Sequence, residues 1–526
     1  MRTLRSWLAA AALGLGILST VPAPAQPKPQ PAKPQPAKPQ PAKPQSAAAA
    51  PAVPDAPVRV PLVFEKLVLP NGLEVILHED KRTPIVAVNV WYHVGSKDEA
   101  PGKNGFAHLF EHVMFQGSRN VAEDTFFKYL ESAGASDRNG STSNDRTNYY
   151  ETVPSNQLEL ALWLESDRMG FLLEHANQET FVSQREVVKN ERRQNYENAP
   201  YGLVRQFVRE AIFPADHPYH LLTIGSPEDL DAASLEDVRA FFRTFYVPNN
   251  ATLVVAGAID KAQAKALVQK YFATLPRGAA PPLKKGPMPV TLAKETRLAV
   301  EADVELARVQ LSWPTPPHYA TGDGELDILA GVLTTGKSSR LYKRLVYDMQ
   351  IAQDVSAGQG SSQLASQFDI VVTLKKGKSP AEALKVVDEE LARLRAAPPA
   401  APELERARAK ILSGMVFSME RVGTRADQMN QYNQLAGDPG YFDKDVARYE
   451  KATAADVQRA AQTWLPADRR IVTVVTPTAG APRAGRLAAG PPTGAATPAP
   501  LPGKPAAAPA KPAKPAAPAK PVGGAK

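Results

Sequence analysis

"GFAHLFEHVMFQG", residues 105–117, and "GELDILAGVLTTG", residues 324–336, are stretches of equal length, each bracketed by glycines and set 219 positions apart. The same offset carries Asp237-Val238 of "SLEDVRAFF" onto Asp456-Val457 of "TAADVQRAA", and "FYVPNNATLVVAG" is soon answered by "TWLPADRRIVTVV". One offset held over more than 130 residues indicates a unit present twice. Each copy opens with strands. "LVLPNGLEVIL" is a hairpin on Pro70-Asn71-Gly72, and the β-branched run "IVAVNVWYHV" is matched by "ARVQLSW". Helices follow, among them "QLELALWLESDRMGFLL" and "AEALKVVDEELARLRA", whose apolar residues recur at three and four. Strand groups set apart from helix groups predict an α+β fold of two homologous domains, each an antiparallel-rich sheet flanked by helices.

Outward from these copies the composition changes. Residues 1–25 pair Arg2 and Arg5 with an apolar run and end in Ala23-Pro24-Ala25, the pattern of a secretory signal peptide. Residues 26–57 repeat "PAKPQ", and residues 478–526 are Ala, Pro, Lys and Gly with little that is large and apolar; both are expected to be disordered. A turn-rich segment, 276–290, divides the body into domains at 58–275 and 291–477. Of the formal net charge of +8, the first 25 residues carry +2, residues 26–57 carry +3 and residues 478–526 carry +7, which leaves −4 for the body. Basicity therefore belongs to the ends, and a nucleic-acid partner is not indicated. No stretch is apolar for the roughly 20 residues that a bilayer-spanning helix needs, so no transmembrane segment is expected; the signal-peptide pattern of residues 1–25 predicts export, to the periplasm. With no cysteine, disulfides, thiol nucleophiles and thiolate-bound metals are excluded.

The first copy of the glycine-bracketed stretch holds two of only eight histidines in the chain. Asn104-Gly105 precede a run without Pro or Gly, so a helix opens there and puts His108 and His112 one turn apart on one side, with Glu111 beside them. Two imidazoles so placed can hold one zinc ion. At the 219 offset the second copy has Asp327, Ala330 and Gly331 instead, so only one copy is expected to bind metal.

"HLFEH", with the later "QREVVKNERRQNYENAPYG", resembles the pitrilysin/insulinase metallopeptidases, whose zinc motif is the inverted H-x-x-E-H. The branch nearest in kind is the two-domain one similar to mitochondrial processing peptidase, and the likeness spans about Phe64 to Pro477. The resemblance implies Glu191 as third zinc ligand, with Glu186 the alternative, one Zn²⁺ per chain, and Glu111 as the catalytic proton carrier. Two neutral histidines and one carboxylate would leave a local charge near +1, enough to acidify a water molecule toward a pKa of about 7. It further implies that a peptide or unfolded protein lies along a sheet edge within "DRNGSTSNDRTNYYETV", nearest Asn139, Gly140 and Ser141. The family's second-domain pattern of a substrate-clamping Arg and Tyr aligns here with Val346 and Gln353. Arg340 and Tyr347 have the right separation in the wrong register, and Gln184 replaces an acid. These departures imply a sister subunit that supplies the Arg/Tyr clamp, this chain being half of a clamshell heterodimer. The expected activity is that of a zinc metalloendopeptidase. Its rival is a non-catalytic peptide-binding or assembly subunit with a structural zinc.

Overall fold

The structure, a computed structural model, describes residues 59–284 and 286–488. The expected signal peptide (1–25), the linker (26–57) and the tail beyond residue 488 lie outside the described residues.

In chain order the first half contains β1 (Glu65–Val68), β2 (Glu74–Glu79), β3 (Ile85–Tyr92), α1 (Phe106–Val113), α2 (Phe126–Ser132), β4 (Ser136–Thr142) and β5 (Thr147–Pro154). It continues with α3 (Leu158–His175), α4 (Gln178–Arg192), α5 (Val204–Ile212), α6 (Pro227–Ala232), α7 (Leu235–Phe245), β6 (Ala251–Gly257) and α8 (Lys261–Phe272). The second half runs β7 (Thr296–Ala302), β8 (Arg308–Thr315), α9 (Asp323–Thr334), β9 (Ala352–Gly360), β10 (Ser366–Leu374), α10 (Pro380–Ala396) and α11 (Ala401–Ser418). After these come α12 (Val422–Ala436), α13 (Phe442–Lys451), α14 (Ala454–Trp464), β11 (Ile471–Pro477) and β12 (Arg486–Leu487).

The strands form two six-stranded sheets, β1-β2-β6-β3-β5-β4 and β12-β7-β11-β8-β10-β9. Position by position they correspond. Each contains one parallel pair, β2 with β6 and β7 with β11, in an otherwise antiparallel ladder. The outermost strands reveal how the copies differ: β1 enters from before its sheet, whereas β12 returns from after it and pairs Arg486 with Glu301 and Leu487 with Val300. Residues 478–488 are thus part of the second domain rather than of the tail to which composition assigned them. Ala481 and Ala484 are buried there, small enough to leave no hydrophobic signature.

Local chemistry explains why the repeat is legible. Helices α7 and α14 both open with capping boxes, Ser234 with Asp237 and Thr453 with Asp456, in which side chain and amide satisfy each other. Their spacing is 219 throughout. The counterpart of Gly105 needs correcting, however. Gly105 (φ 96°) caps α1 in the left-handed region, and the residue that does so for α9 is Gly322 (φ 100°), two positions before Gly324, which lies inside the helix. Helix α9 is therefore longer at its start, and in neither register does it present histidines.

Along β3 the side chains alternate. Val86, Val88, Val90 and Tyr92 enter the main core with α1 and α3, while Ala87 joins a second cluster on the opposite face. That opposite face is covered by the other half. Val422, Ala426 and Met429 of α12 recur at four and three and pack on Ile76, Ala87, Val254 and Ala256. Reciprocally, Val204, Val208 and Ile212 of α5 pack on Val300, Ile471 and Val475 of the second sheet. Each half thus lends a helix to the other, so the two domains share apolar surface that neither could bury alone.

Candidate metal centre

Helix α1 begins where two backbones touch. A Cβ on Gly105 would come within 2.5 Å of the Gly225 Cα, so only glycine permits this approach. The free amides of the first turn are met by Glu99, whose Oε1 accepts from the Ala107 amide at 2.9 Å and whose Oε2 accepts from the Gly105 amide at 3.0 Å. Burial pushes the Glu99 carboxyl up to about 8, against the pull of those donors. Because its folded pKa lies above the ordinary 4.5, the folded state binds more protons between the two values. The stability contributed by Glu99 is then full below about pH 4.5 and is lost as pH rises to about 8. Glu99→Gln keeps an acceptor and removes the titration. Its urea unfolding free energy should vary less between pH 5 and 8 than that of the parent, and an identical slope would discount Glu99.

On this anchored helix the His108 and His112 rings lie with centroids 4.9 Å apart. Glu191, in the last turn of α4, reaches both: its Oε2 is 3.5 Å from His108 Nε2 and 3.3 Å from His112 Nε2. Ligands on one tetrahedral ion at about 2.0–2.1 Å stand roughly 3.3–3.4 Å from one another, so these separations fit a single zinc. The protonation states fit as well. Burial, then the neighbouring His112, lowers the proton affinity of His108, and the hydrogen bond with His112 lowers that of Glu191. Neutral imidazole and ionised carboxylate are the forms that ligate. Just past Glu191 the helix widens into a π-helical turn at Arg193–Glu197, and Asn195 Nδ2 donates to Glu191 Oε1 at 3.3 Å. Glu186, the alternative ligand, points elsewhere and pairs with Lys189 at 3.2 Å. Among the described residues His108, His112 and Glu191 form the one such donor cluster.

Glu111 is buried beside the cluster and turned toward β4. Its Oε2 accepts a hydrogen bond from Thr142 Oγ1 at 2.6 Å. Burial raises its proton affinity, opposed by that bond and by His112 and Arg146. The backbone of β4 crosses directly over it: a Cβ on Gly140 would lie 3.0 Å from Glu111 Cγ. Asn139, Gly140 and Ser141 all fall on β4, the outermost strand of its sheet, and pair only with β5 on one side. Thr142 was not among the residues that the sequence singled out, yet it shares the face of Gly140 by simple alternation. The turn after β4 is fastened to the second half, since Asp145 O accepts from Gln434 Nε2 at 3.0 Å and Asp145 Oδ2 accepts from the Gln363 amide at 3.0 Å. In the second half Arg340 is engaged by Glu403 at 2.7 and 2.8 Å, while Tyr347 stands exposed.

The chain is similar to known proteins in sequence and in fold. Residues 74–221 match the model of the insulinase family (peptidase family M16), and residues 232–411 match that of the peptidase M16 inactive domain. The chain is 30% identical over 391 residues to the zinc protease PqqE of Helicobacter pylori, covering 71% of this chain and 84% of that protein. The crystal structure of a protease from Helicobacter pylori superposes with a TM-score of 0.74 at 26% identity, over 80% of this chain and all of that one. The periplasmic protease PqqL from Escherichia coli shares the fold, with a TM-score of 0.67 at 17% identity over 80% of this chain and 48% of its own. By sequence, by architecture and by its H-x-x-E-H helix, the chain belongs to the insulinase family of peptidases, M16.

Proposed function

We propose that this protein is an exported zinc metalloendopeptidase that cleaves short or unfolded polypeptides. The observation carrying this reading is the convergence of His108, His112 and Glu191 beside a buried Glu111 that faces an open strand edge. One zinc per chain, held by those three side chains, supplies Lewis acidity toward water and the scissile carbonyl. Glu111 takes the proton of the attacking water and returns it to the leaving amine, and burial raises its proton affinity above that of an ordinary carboxylate. Thr142 fixes the carboxylate's orientation. Asn139, Gly140 and Ser141 offer backbone groups to an extended peptide, and such pairing reads few side chains. Export rests on the pattern of residues 1–25, and among the described residues no helix is long and apolar enough to cross a membrane.

The clamp comes from a sister subunit in this reading. Arg340 is committed to Glu403, and Val346 and Gln353 occupy the aligned positions. Purified alone, the chain should cleave slowly, and coexpression with its partner should restore turnover; full activity of the lone chain would remove the partner from the scheme. The rival reading, a peptide-binding or assembly subunit with a structural zinc, draws on the same missing clamp, but it leaves Glu111 without a task. Metal analysis with chelator-sensitive cleavage of an unstructured peptide decides between them. The expected result is one zinc per chain and cleavage that chelation abolishes and zinc restores. Zinc without cleavage, in the presence of the partner, would favour the rival.

A further inference from the structure

Strand β4 turns Gly140 and Thr142 toward Glu111, and Asn139 and Ser141 toward the opposite face of the sheet. A cavity of about 520 Å³ opens on that opposite face, walled by both halves of the chain. Asp137, Arg138, Arg146 and Tyr150 line it from the first half, and Arg421 and Asp427 from the beginning of α12. Three of these charges are already committed, Arg138 among them, whose Nη1 donates to Ala135 O at 3.1 Å. Asp427 Oδ1 accepts from Asn89 Nδ2 at 3.2 Å, Trp91 Nε1 at 2.9 Å and Asn148 Nδ2 at 3.0 Å. Arg146 donates to Ser141 O at 2.8 Å and to Ser141 Oγ at 2.6 Å, with its guanidinium over the Trp91 ring. Arg421 is different. It is exposed at the cavity and its guanidinium has no hydrogen bond or ion pair among the described residues.

We propose that this cavity is a substrate subsite that receives an acidic side chain and pairs it with Arg421. The inference rests on the reading of β4 as the peptide's docking edge. A peptide added to that edge sends successive side chains alternately to the two faces, so every second one is aimed at the cavity. An apolar side chain there would strip water from asparagine and arginine groups and give nothing back. A lysine would meet Arg138, Arg146 and Arg421, which outnumber the carboxylates of Asp137 and Asp427. A glutamate finds a free guanidinium able to form a charge-assisted pair. The residue that sets this preference belongs to the second half, the half without metal ligands, which gives that half a part in substrate selection.

The test uses the full zinc-loaded chain carrying Glu111→Gln, so that peptides bind without turnover. Fluorescence anisotropy measures Kd for unstructured peptides that are identical except for Glu, Gln, Leu or Lys at alternate positions. Glutamate peptides should bind about tenfold tighter than lysine peptides. Arg421→Gln should bring the two to near parity and Arg421→Glu should reverse their order, because the same site then repels what it attracted. Glutamate preference that persists unchanged in Arg421→Glu would overturn the subsite. Gly140→Leu separates the two layers of the argument. If it abolishes binding while Arg421→Glu leaves the order intact, β4 stands as the docking edge and the subsite falls. If it leaves every affinity unchanged, the docking edge falls and the subsite with it.

Discussion

Glu111→Gln is expected to keep its zinc and to lose peptide cleavage by a factor of about 10³ or more, near the upper end of what a positioned acid–base group contributes. The substitution is nearly isosteric. The amide oxygen can still accept from the Thr142 hydroxyl, which is 2.6 Å from the carboxylate, so the side chain keeps its place under β4. None of the three proposed donor atoms belongs to residue 111, and His108, His112 and Glu191 keep their separations. What disappears is a basic oxygen able to take and return a proton. His112→Ala makes the informative contrast, since it removes a donor and should lose metal and cleavage together. Zinc content by atomic emission beside kcat/KM on one peptide distinguishes the two outcomes. A Glu111→Gln variant that retained turnover would assign proton transfer to another group, and one that lost zinc would make Glu111 a structural part of the site.

The helical turn is why so much of this site could be read from residues alone. Spacing along one helix fixes His108 and His112 on one side, and no tertiary information is needed to see it. Glu191, 79 residues beyond His112, is brought in by the packing of α4 on α1, which no local pattern encodes, so it came only through likeness to a family. The pairing of α12 and α5 with the opposite sheets was illegible for the same reason: periodicity identifies an apolar face and says nothing of what covers it. The two-residue shift at Gly322 is hidden in the sequence because Gly105 and Gly324 happen to stand at the same 219 offset as Gly117 and Gly336. Residues 478–488 were misassigned because β12 is held by backbone pairing with β7, and backbone pairing leaves no trace in composition.

Arg168→Met is expected to destabilise the chain by about 3–5 kcal/mol, the range for breaking a buried ion pair from one side. Arg168 is 2% exposed, Glu165 is fully buried and Glu151 is 1% exposed. Arg168 Nε donates to Glu165 Oε2 at 2.9 Å, and the guanidinium lies 4.2 Å from the centre of the Tyr149 ring and 4.4 Å from that of Phe126. Burial, and then the charge of Glu165, pushes the Glu151 carboxyl well above the usual carboxylate range, which favours its neutral form. Methionine fills much of the volume but leaves Glu165 as a buried charge without a cation. Arg168→Met with Glu165→Gln should therefore recover most of the loss, a coupling that urea unfolding of the two single variants and the double variant measures directly. A double variant no more stable than Arg168→Met would mean that packing against the rings, not charge, is what Arg168 provides. The effect should also reach the site. Phe115, whose ring centre is 5.1 Å from the guanidinium, stands 3.1 Å from where a Cβ on Gly140 would be, so it forms part of the wall behind β4. With that wall loosened, kcat/KM should fall at unchanged zinc content, because the proposed metal donors sit on α1 and α4 while the displaced element is the strand proposed to receive the peptide.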